Sequence, residues 1–176
     1  MNSSNNIINI KNQLLNIYCY EKNIFHITHN FGGGTDVYID NLKTIFDNYN
    51  HIIIKIIGNK YVNINNSNYD IIIINYLLEN SNSIVFIHNL LYYHDCLMIN
   101  NEILSILMNN ITIKKILILH DYYLLLPYNP NPIKSHNLIP DIEDIELSKK
   151  LINNCEKIIF NSNRITIKFY TIISRV

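Results

Sequence analysis

The sequence predicts an α/β protein, a parallel β-sheet with helices on both faces. Two observations predict it. Short apolar runs alternate along the chain with segments of helical spacing, an order that favours a parallel sheet over an all-helical or all-β arrangement. Several of the runs also end on glycine, histidine or asparagine, the residues expected where strands reach the edge of such a sheet.

Residues 1–23 carry Ile7, Ile8, Leu14, Leu15 and Tyr18 at a spacing compatible with one face of a short helix, and are read as a helical N-terminal extension. The main domain is expected over 24–176. Ile24 to Thr28 reads as the first strand, followed by the loop HNFGGG from His29 to Gly34. Thr35 is placed to cap a helix whose buried face would hold Val37, Leu42, Ile45 and Phe46, with Asp36, Asp40, Asn41 and Lys43 in solvent. His51 to Ile57 reads as a second strand closed by Gly58, and the polar stretch Asn63 to Asn68 as a surface loop. Ile71 to Leu78 fits helix or strand equally.

Ser83 to Ile87 reads as a third strand ending at His88 and Asn89. A helix over Asn101 to Asn110 follows from Ile103, Leu104, Ile106 and Leu107. Lys115 to Leu119 forms a fourth strand running into His120 and Asp121, after which Pro127, Pro130, Pro132 and Pro140 impose an irregular connection. Asp141 can cap a helix through Leu151, with Glu143 and Asp144 in its first turn and Lys149 and Lys150 near its end, matching the helix dipole. Lys157 to Phe160 is the last strand.

A chain of 176 residues with 48% hydrophobic content supports one substantial core and one domain. Fourteen basic and fourteen acidic side chains balance, so no field attracts nucleic acid or an anionic membrane surface. Cys19, Cys96 and Cys155 are widely spaced and read as reduced core thiols. No secretory signal is legible, and runs such as Ile71 to Ile74 and Ile116 to Leu119 fall short of a transmembrane segment, so a soluble, cytoplasmic protein is expected. Ile, Asn and Tyr dominate while Trp and Ala are absent, a compositional bias that weakens the usual leaning of Ile toward strands.

In open α/β sheets ligands sit beyond the carboxyl ends of the strands. That rule selects the HNFGGG loop, His88 with Asn89, His120 with Asp121, and Asn161 with Ser162. Gly32, Gly33 and Gly34 let backbone approach a ligand and expose amide N–H groups at a helix start, or form a turn with no ligand. They match neither GxGxxG nor GxxxxGK[ST]. His120 can bond a substrate hydroxyl or donate toward negative charge, or it can be a strand-end imidazole satisfied by backbone carbonyls. Its pairing with Asp121 also occurs in metal-dependent phosphohydrolases, but those are all-helical, and no metal is expected here.

His88 and Asn89 either line the same cleft or sit in a solvated turn. Tyr92, Tyr93, Tyr122 and Tyr123 suit sugar stacking or core packing, and His26 and His51 read as satisfied core histidines. Ser162, between Asn161 and Asn163, suits a helix cap.

Taken together, HNFGGGTDVYIDNL (His29 to Leu42), VFIHNLLYYH (Val85 to His94), LHDYYLLLP (Leu119 to Pro127) and CEKIIFNSN (Cys155 to Asn163) resemble the amino-terminal Rossmann-like domain of GT-B glycosyltransferases, the retaining group called glycosyltransferase family 4. The resemblance covers roughly Ile24 to Asn163. It implies that Gly32, Gly33 and Gly34, with Thr35, approach donor phosphates and acceptor, and that His120 contacts the donor sugar near the reacting carbon. It further implies donor or acceptor contacts for His88, Asn89, Asp121, Tyr122 and Ser162. The implied substrates are a nucleotide sugar and a saccharide or other hydroxyl acceptor, with no separate cofactor.

Family members continue into a second domain that binds the nucleotide and carries a paired-glutamate motif, and these 176 residues supply no such segment. The expectation is a truncated or split enzyme whose partner is a separate donor-binding domain or chain, with weak transferase activity when isolated. The alternative is a non-catalytic saccharide-binding or partner-docking remnant. A third reading, an unrelated flavodoxin-like or nucleotide-binding domain, lacks its phosphate-loop fingerprint.

Overall fold

The computed structural model of the chain describes residues 22–30, 33–58, 60–79, 83–88, 101–120 and 142–161. In chain order the elements are β1 (Asn23–His29), α1 (Gly34–Ile45), β2 (Asn50–Ile57), β3 (Tyr61–Ile64), β4 (Ser67–Asp70), α2 (Ile73–Glu79), β5 (Ile84–His88), α3 (Asn101–Asn109), β6 (Lys114–Leu119), α4 (Ile142–Asn153) and β7 (Lys157–Phe160). They build a seven-stranded, mostly parallel sheet in the order β4-β3-β2-β1-β5-β6-β7.

β1 is the central strand, paired in parallel with β2 on one side and β5 on the other, and its first six residues are all buried. A strand covered on both faces needs apolar side chains at every position rather than at alternate ones. β1 meets that need except at Asn23, His26 and Thr28, which are buried and polar, and at its half-buried last residue, His29.

Period-two alternation separates the two faces. On one face, Phe25, Ile27, Ile52, Ile54, Ile56, Val85, Ile87, Leu117 and Leu119 pack with Ile74 and Leu77 of α2, Ile106 and Leu107 of α3 and Leu151 of α4. On the other, Ile24, Phe86 and Ile118 pack with Leu42 of α1, and Tyr38 and Phe46 close over them. Helices therefore cover both faces, with α1 on its own side among the described residues.

Three sequence expectations need correction. The stretch Asn63 to Asn68 is not a loop but the middle of a hairpin, in which β3 and β4 extend the sheet in antiparallel fashion. Asn65 and Asn66 form its two-residue turn with φ of 51° and 65°, and Asn tolerates this left-handed region better than other side chains. Asn is common throughout the chain, so the polar run concealed a strand pair. The sheet is accordingly not wholly parallel.

α1 is rotated relative to expectation. Its buried residues are Thr35, Ile39 and Leu42, whereas Val37 and Ile45 are 62% and 68% exposed. Val37 lies about 200° around the helix axis from Thr35 at about 100° per residue, so burying one exposes the other. The N-cap is Gly33, with φ 81° and ψ −143°, and Thr35 lies inside the first turn instead of capping it.

Ile71 to Leu78, ambiguous in sequence, resolves into the turn before α2 and most of that helix. The expected extension over 1–23 lies outside the described residues except for its last two, and so does the cap expected at Asp141. Among the described residues no helix is long and apolar enough to cross a membrane.

Gly58 ends β2 with φ 60°, and a Cβ built there meets nothing within 4 Å. The cost of a side chain at this position is therefore backbone strain alone. Gly58→Ala is expected to destabilise the fold by about 1 kcal/mol, read as a lower urea midpoint with an unchanged slope. A loss of several kcal/mol would mean that the side chain has no open space.

Candidate functional site

The five parallel strands β1, β2, β5, β6 and β7, counted one to five along the chain, lie in the order 2-1-3-4-5. Successive connections leave β1 on one side and return beyond it at β5, so the carboxyl ends of β1 and β5 flank the crevice where such sheets bind ligands. His29 ends β1 and His88 ends β5. His120 follows β6 immediately.

The residues expected on this edge come together as follows. Thr35 Oγ1, on the first turn of α1, lies 3.3 Å from His29 Nε2. Tyr38, one turn further, sets its ring edgewise on His120, centroids 4.9 Å apart at 87°, and reaches His88 at 6.2 Å. The start of α1 is thereby fixed over the ends of β1, β5 and β6. Gly33 and Gly34 belong to this same helix start, and Asp36 in its first turn pairs with Lys55 of β2 at 3.4 Å. Gly32, Asn89, Asp121, Tyr122 and Ser162 lie outside the described residues, as do Tyr92, Tyr93 and Tyr123.

Of the two readings open for His88, a cleft residue or a solvated turn, the solvated turn does not hold, because His88 is completely buried. Its Nδ1 lies 3.3 Å from His120 Nε2 and its Nε2 lies 3.0 Å from His26 Nδ1. The line continues: His26 Nε2 lies 2.9 Å from His51 Nδ1, and His51 Nε2 donates to the Phe46 carbonyl oxygen at 2.9 Å. Four imidazoles on four adjacent strands, β2, β1, β5 and the end of β6, thus join in one hydrogen-bonded row.

Strand register explains the row. His51 pairs with Ile24, His26 with Phe86 and His88 with Ile118, so each next histidine lies two residues further along its own strand. Two residues return the side chain to the same face. The row is a diagonal across the α1 face, rising to the carboxyl edge at His120. His26 and His51 are core histidines with partners, as their sequence context suggests; what the sequence does not disclose is that those partners lead to His120.

Burial sets the charge state of His26, His88, His120 and His29. Desolvation, reinforced by His51 and Lys43, lowers His26 to about 3. Desolvation with repulsion from His26, His120 and His29 lowers His88 to about 2. His120, less enclosed, is lowered to about 4 by desolvation and His29. His29 is lowered by burial, which outweighs the attraction of Asp36. At neutral pH these four rings are uncharged, because an imidazolium here would be costly to desolvate.

Thr28 Oγ1, buried on the same face of β1, has no hydrogen-bond partner among the described residues. Thr28, Tyr38 and the link from His120 back to His51 are the parts of the site that sequence reasoning missed. Their one signal is strand parity, which places His26, Thr28, His51 and His88 on one face once the strands are in register.

No group of His, Cys, Asp or Glu suited to holding a metal is found among the described residues. Cys155 packs beside the core, and burial raises its thiol to about 11, so it is not a reactive thiolate. Lys115, buried at the opposite end of β6, donates from Nζ to the Asn110 carbonyl at 2.7 Å.

Fold and site together define an α/β protein with a neutral imidazole cluster rising to the carboxyl edge of a mostly parallel sheet. Comparison of the chain with protein-family models, with curated proteins and with solved structures finds no match in any of the three.

Proposed function

We propose that this chain is the acceptor-side, Rossmann-like half of a GT-B glycosyltransferase, contributing His120 and the glycine turn to sugar transfer from a nucleotide sugar to a hydroxyl acceptor. The observation that carries the reading is the meeting of His120, Tyr38 and the start of α1 at the carboxyl edge, beside the strand crossover where ligands of such sheets bind. Of the HNFGGG, HN and HD segments of the resemblance, the described residues include His29, Gly33, Gly34, His88 and His120, which lie at the ends of β1, β5 and β6 and the start of α1.

In this reading Gly33, whose φ of 81° suits glycine, turns the backbone into α1 so that its first amides point toward the crevice. Tyr38 offers an aromatic edge, and His120 supplies a neutral imidazole to a sugar or acceptor hydroxyl. Positioning and hydrogen bonding supply the catalysis, with no protein nucleophile. A separate donor-binding domain or chain would complete the cleft.

The test is amide and histidine-ring chemical-shift mapping with a panel of nucleotide sugars, free nucleotides and methyl glycosides. The expected result is perturbation confined to Gly33 to Tyr38, His88 and His120, weakened at least about tenfold in affinity by His120→Ala, the loss of one good polar contact. A response that maps to another surface, or a panel that leaves these residues unmoved, overturns the reading. Binding of glycosides without any transfer when a donor-binding chain is supplied favours the non-catalytic remnant instead.

A further inference from the structure

The hairpin that extends the sheet beyond β2 carries a polar surface of its own. Tyr61 stands opposite Asp70, and Asn63 opposite Asn68. Directly opposed residues share a face, and so do residues two apart along one strand. Val62 and Ile64 belong to the larger core on the other face, so Tyr61, Asn63, Asn68 and Asp70 lie together on the α1 face. Among the described residues α1 packs on that face over β1, β5 and β6, and the hairpin stays open. Tyr61 is 54% exposed, and Asn68 and Asp70 are exposed beside it.

Register makes this surface continuous with the crevice. Lys55 of β2 pairs with Thr28 on one side and with Asn63 on the other, and Ile57 pairs with Tyr61. Lys55 Nζ also lies 3.4 Å from Asp36 in the first turn of α1, so the start of that helix borders the hairpin surface. Tyr61 and Asp70 are nearest the carboxyl edge, because β3 begins there and β4 ends there. From β1 to β3 is two strand spacings, about 10 Å.

We propose that Tyr61, Asn63, Asn68 and Asp70 form a saccharide subsite, a shelf that holds the further residues of a glycan whose end lies in the crevice. A pyranose ring presents a C–H face bounded by hydroxyls that both donate and accept. Tyr61 offers an exposed aromatic ring to the C–H face. The Asn63 Nδ2 donates to Asn68 Oδ1 at 2.8 Å, which uses one end of each amide and leaves Asn63 Oδ1 and Asn68 Nδ2 as a neighbouring acceptor and donor. Asp70 Oδ1 accepts from the Ile72 amide at 3.0 Å, and Oδ2 adds a further acceptor. Three of the four side chains are thus tied before a ligand arrives, which removes the ordering cost that a free side chain meets on binding. The outer face of an antiparallel pair is commonly polar because water covers it. That accounts for the asparagines, but not for an aromatic ring exposed among them.

That the glycan is an acceptor, of two or more sugar residues, rests on the proposed sugar-transfer reading; that the shelf holds a glycan rests on the hairpin alone. Titration of the chain with linear glucose and N-acetylglucosamine oligosaccharides of one to four residues tests it. The signals are the side-chain amide resonances of Asn63 and Asn68 and the backbone amides of Gly33 to Tyr38. Affinity is expected to rise at least about tenfold from one residue to four, the worth of one to two net hydrogen bonds, with both asparagine side chains shifted.

Tyr61→Ala should lower the ratio of four-residue to one-residue affinity about fivefold, the worth of one ring contact. If that variant does not fold, Asn68→Ala on the edge strand carries the same comparison. Equal affinities at every length, unmoved asparagine side chains, or a length dependence indifferent to these substitutions overturns the shelf. Adenosine or uridine shifting the same side chains in place of the glycans overturns the saccharide assignment. The two readings fail separately: asparagine shifts with the crevice amides unmoved leave the shelf standing and sink sugar transfer, and crevice shifts without length dependence do the reverse.

Discussion

Lowering the pH from 7 toward 4 is expected to unfold the chain in one steep transition, driven by protonation of the histidine row. Three rings of the row are depressed in the folded state, His26 to about 3, His88 to about 2 and His120 to about 4, from an ordinary value of 6.5. The unfolded chain therefore binds these protons first as pH falls. The stability they contribute is complete above pH 6.5 and drains away between 6.5 and the folded values. Each excluded proton costs about 1.4 kcal/mol per pH unit in that window.

Counting only the fully buried His26 and His88, the limiting slope is about 2.7 kcal/mol per unit, or about 5 kcal/mol by pH 4.5. That equals the whole stability of a marginal domain. Among the described residues the charges that act on these rings do not rescue them: His51 and Lys43 repel a proton on His26, His29 repels one on His88 and His120, and the attractive carboxylate of Asp36 acts on His29. Urea denaturation at pH 7, 6 and 5, followed by circular dichroism, measures the slope. Stability that stays level between pH 6.5 and 5 would mean that the rings are solvated, and the buried row would be refuted.

The elements that read correctly from sequence are those with a continuous apolar run and a clear stop. β1, β2, β5, β6 and β7 are of this kind, each within one residue of expectation at either end. The β3–β4 hairpin failed because β4, Ser-Asn-Tyr-Asp, is an edge strand with little to bury, so its pairing is backbone hydrogen bonding that hydropathy does not register. α1 was found but turned the wrong way. With Val37, Ile39, Leu42, Ile45 and Phe46 all apolar, more than one stripe fits, and the diagonal of the sheet chooses between them.

The site was legible as separate strand ends and illegible as a row. Each histidine is unremarkable in its own segment: His51 opens a strand, His26 sits mid-strand, His88 ends one and His120 follows one. Only strand order and a two-residue offset at each crossing join them. Strand order and register are properties of the sheet, set by pairings between segments far apart in sequence. Local pattern is silent about them.

Replacing the inner pair of histidines separates the worth of the row from the worth of its members. His26→Leu keeps roughly the ring's volume but orphans His51 Nδ1 and His88 Nε2, both of which bond to it now. His88→Leu likewise orphans His26 Nδ1 and His120 Nε2. Each single change is expected to cost about 2–4 kcal/mol at pH 7, since leaving a buried donor or acceptor unmade costs about 1–3 kcal/mol. The double change removes the inner hydrogen bond together with both its ends, leaving only His51 Nδ1 and His120 Nε2 without their row partners.

The double variant should therefore cost less than the sum of the singles, by about 1–3 kcal/mol, within the range seen for directly bonded neighbours. It also lacks both fully buried proton-excluding rings. Its stability should fall with acid by about 2.7 kcal/mol per pH unit less than that of the wild type, so the two unfolding curves converge as the pH drops and the variant outlasts the parent near pH 4. Additive single costs, or parallel pH dependences for variant and parent, would show that His26 and His88 act as separate side chains and that no row exists to hold His120.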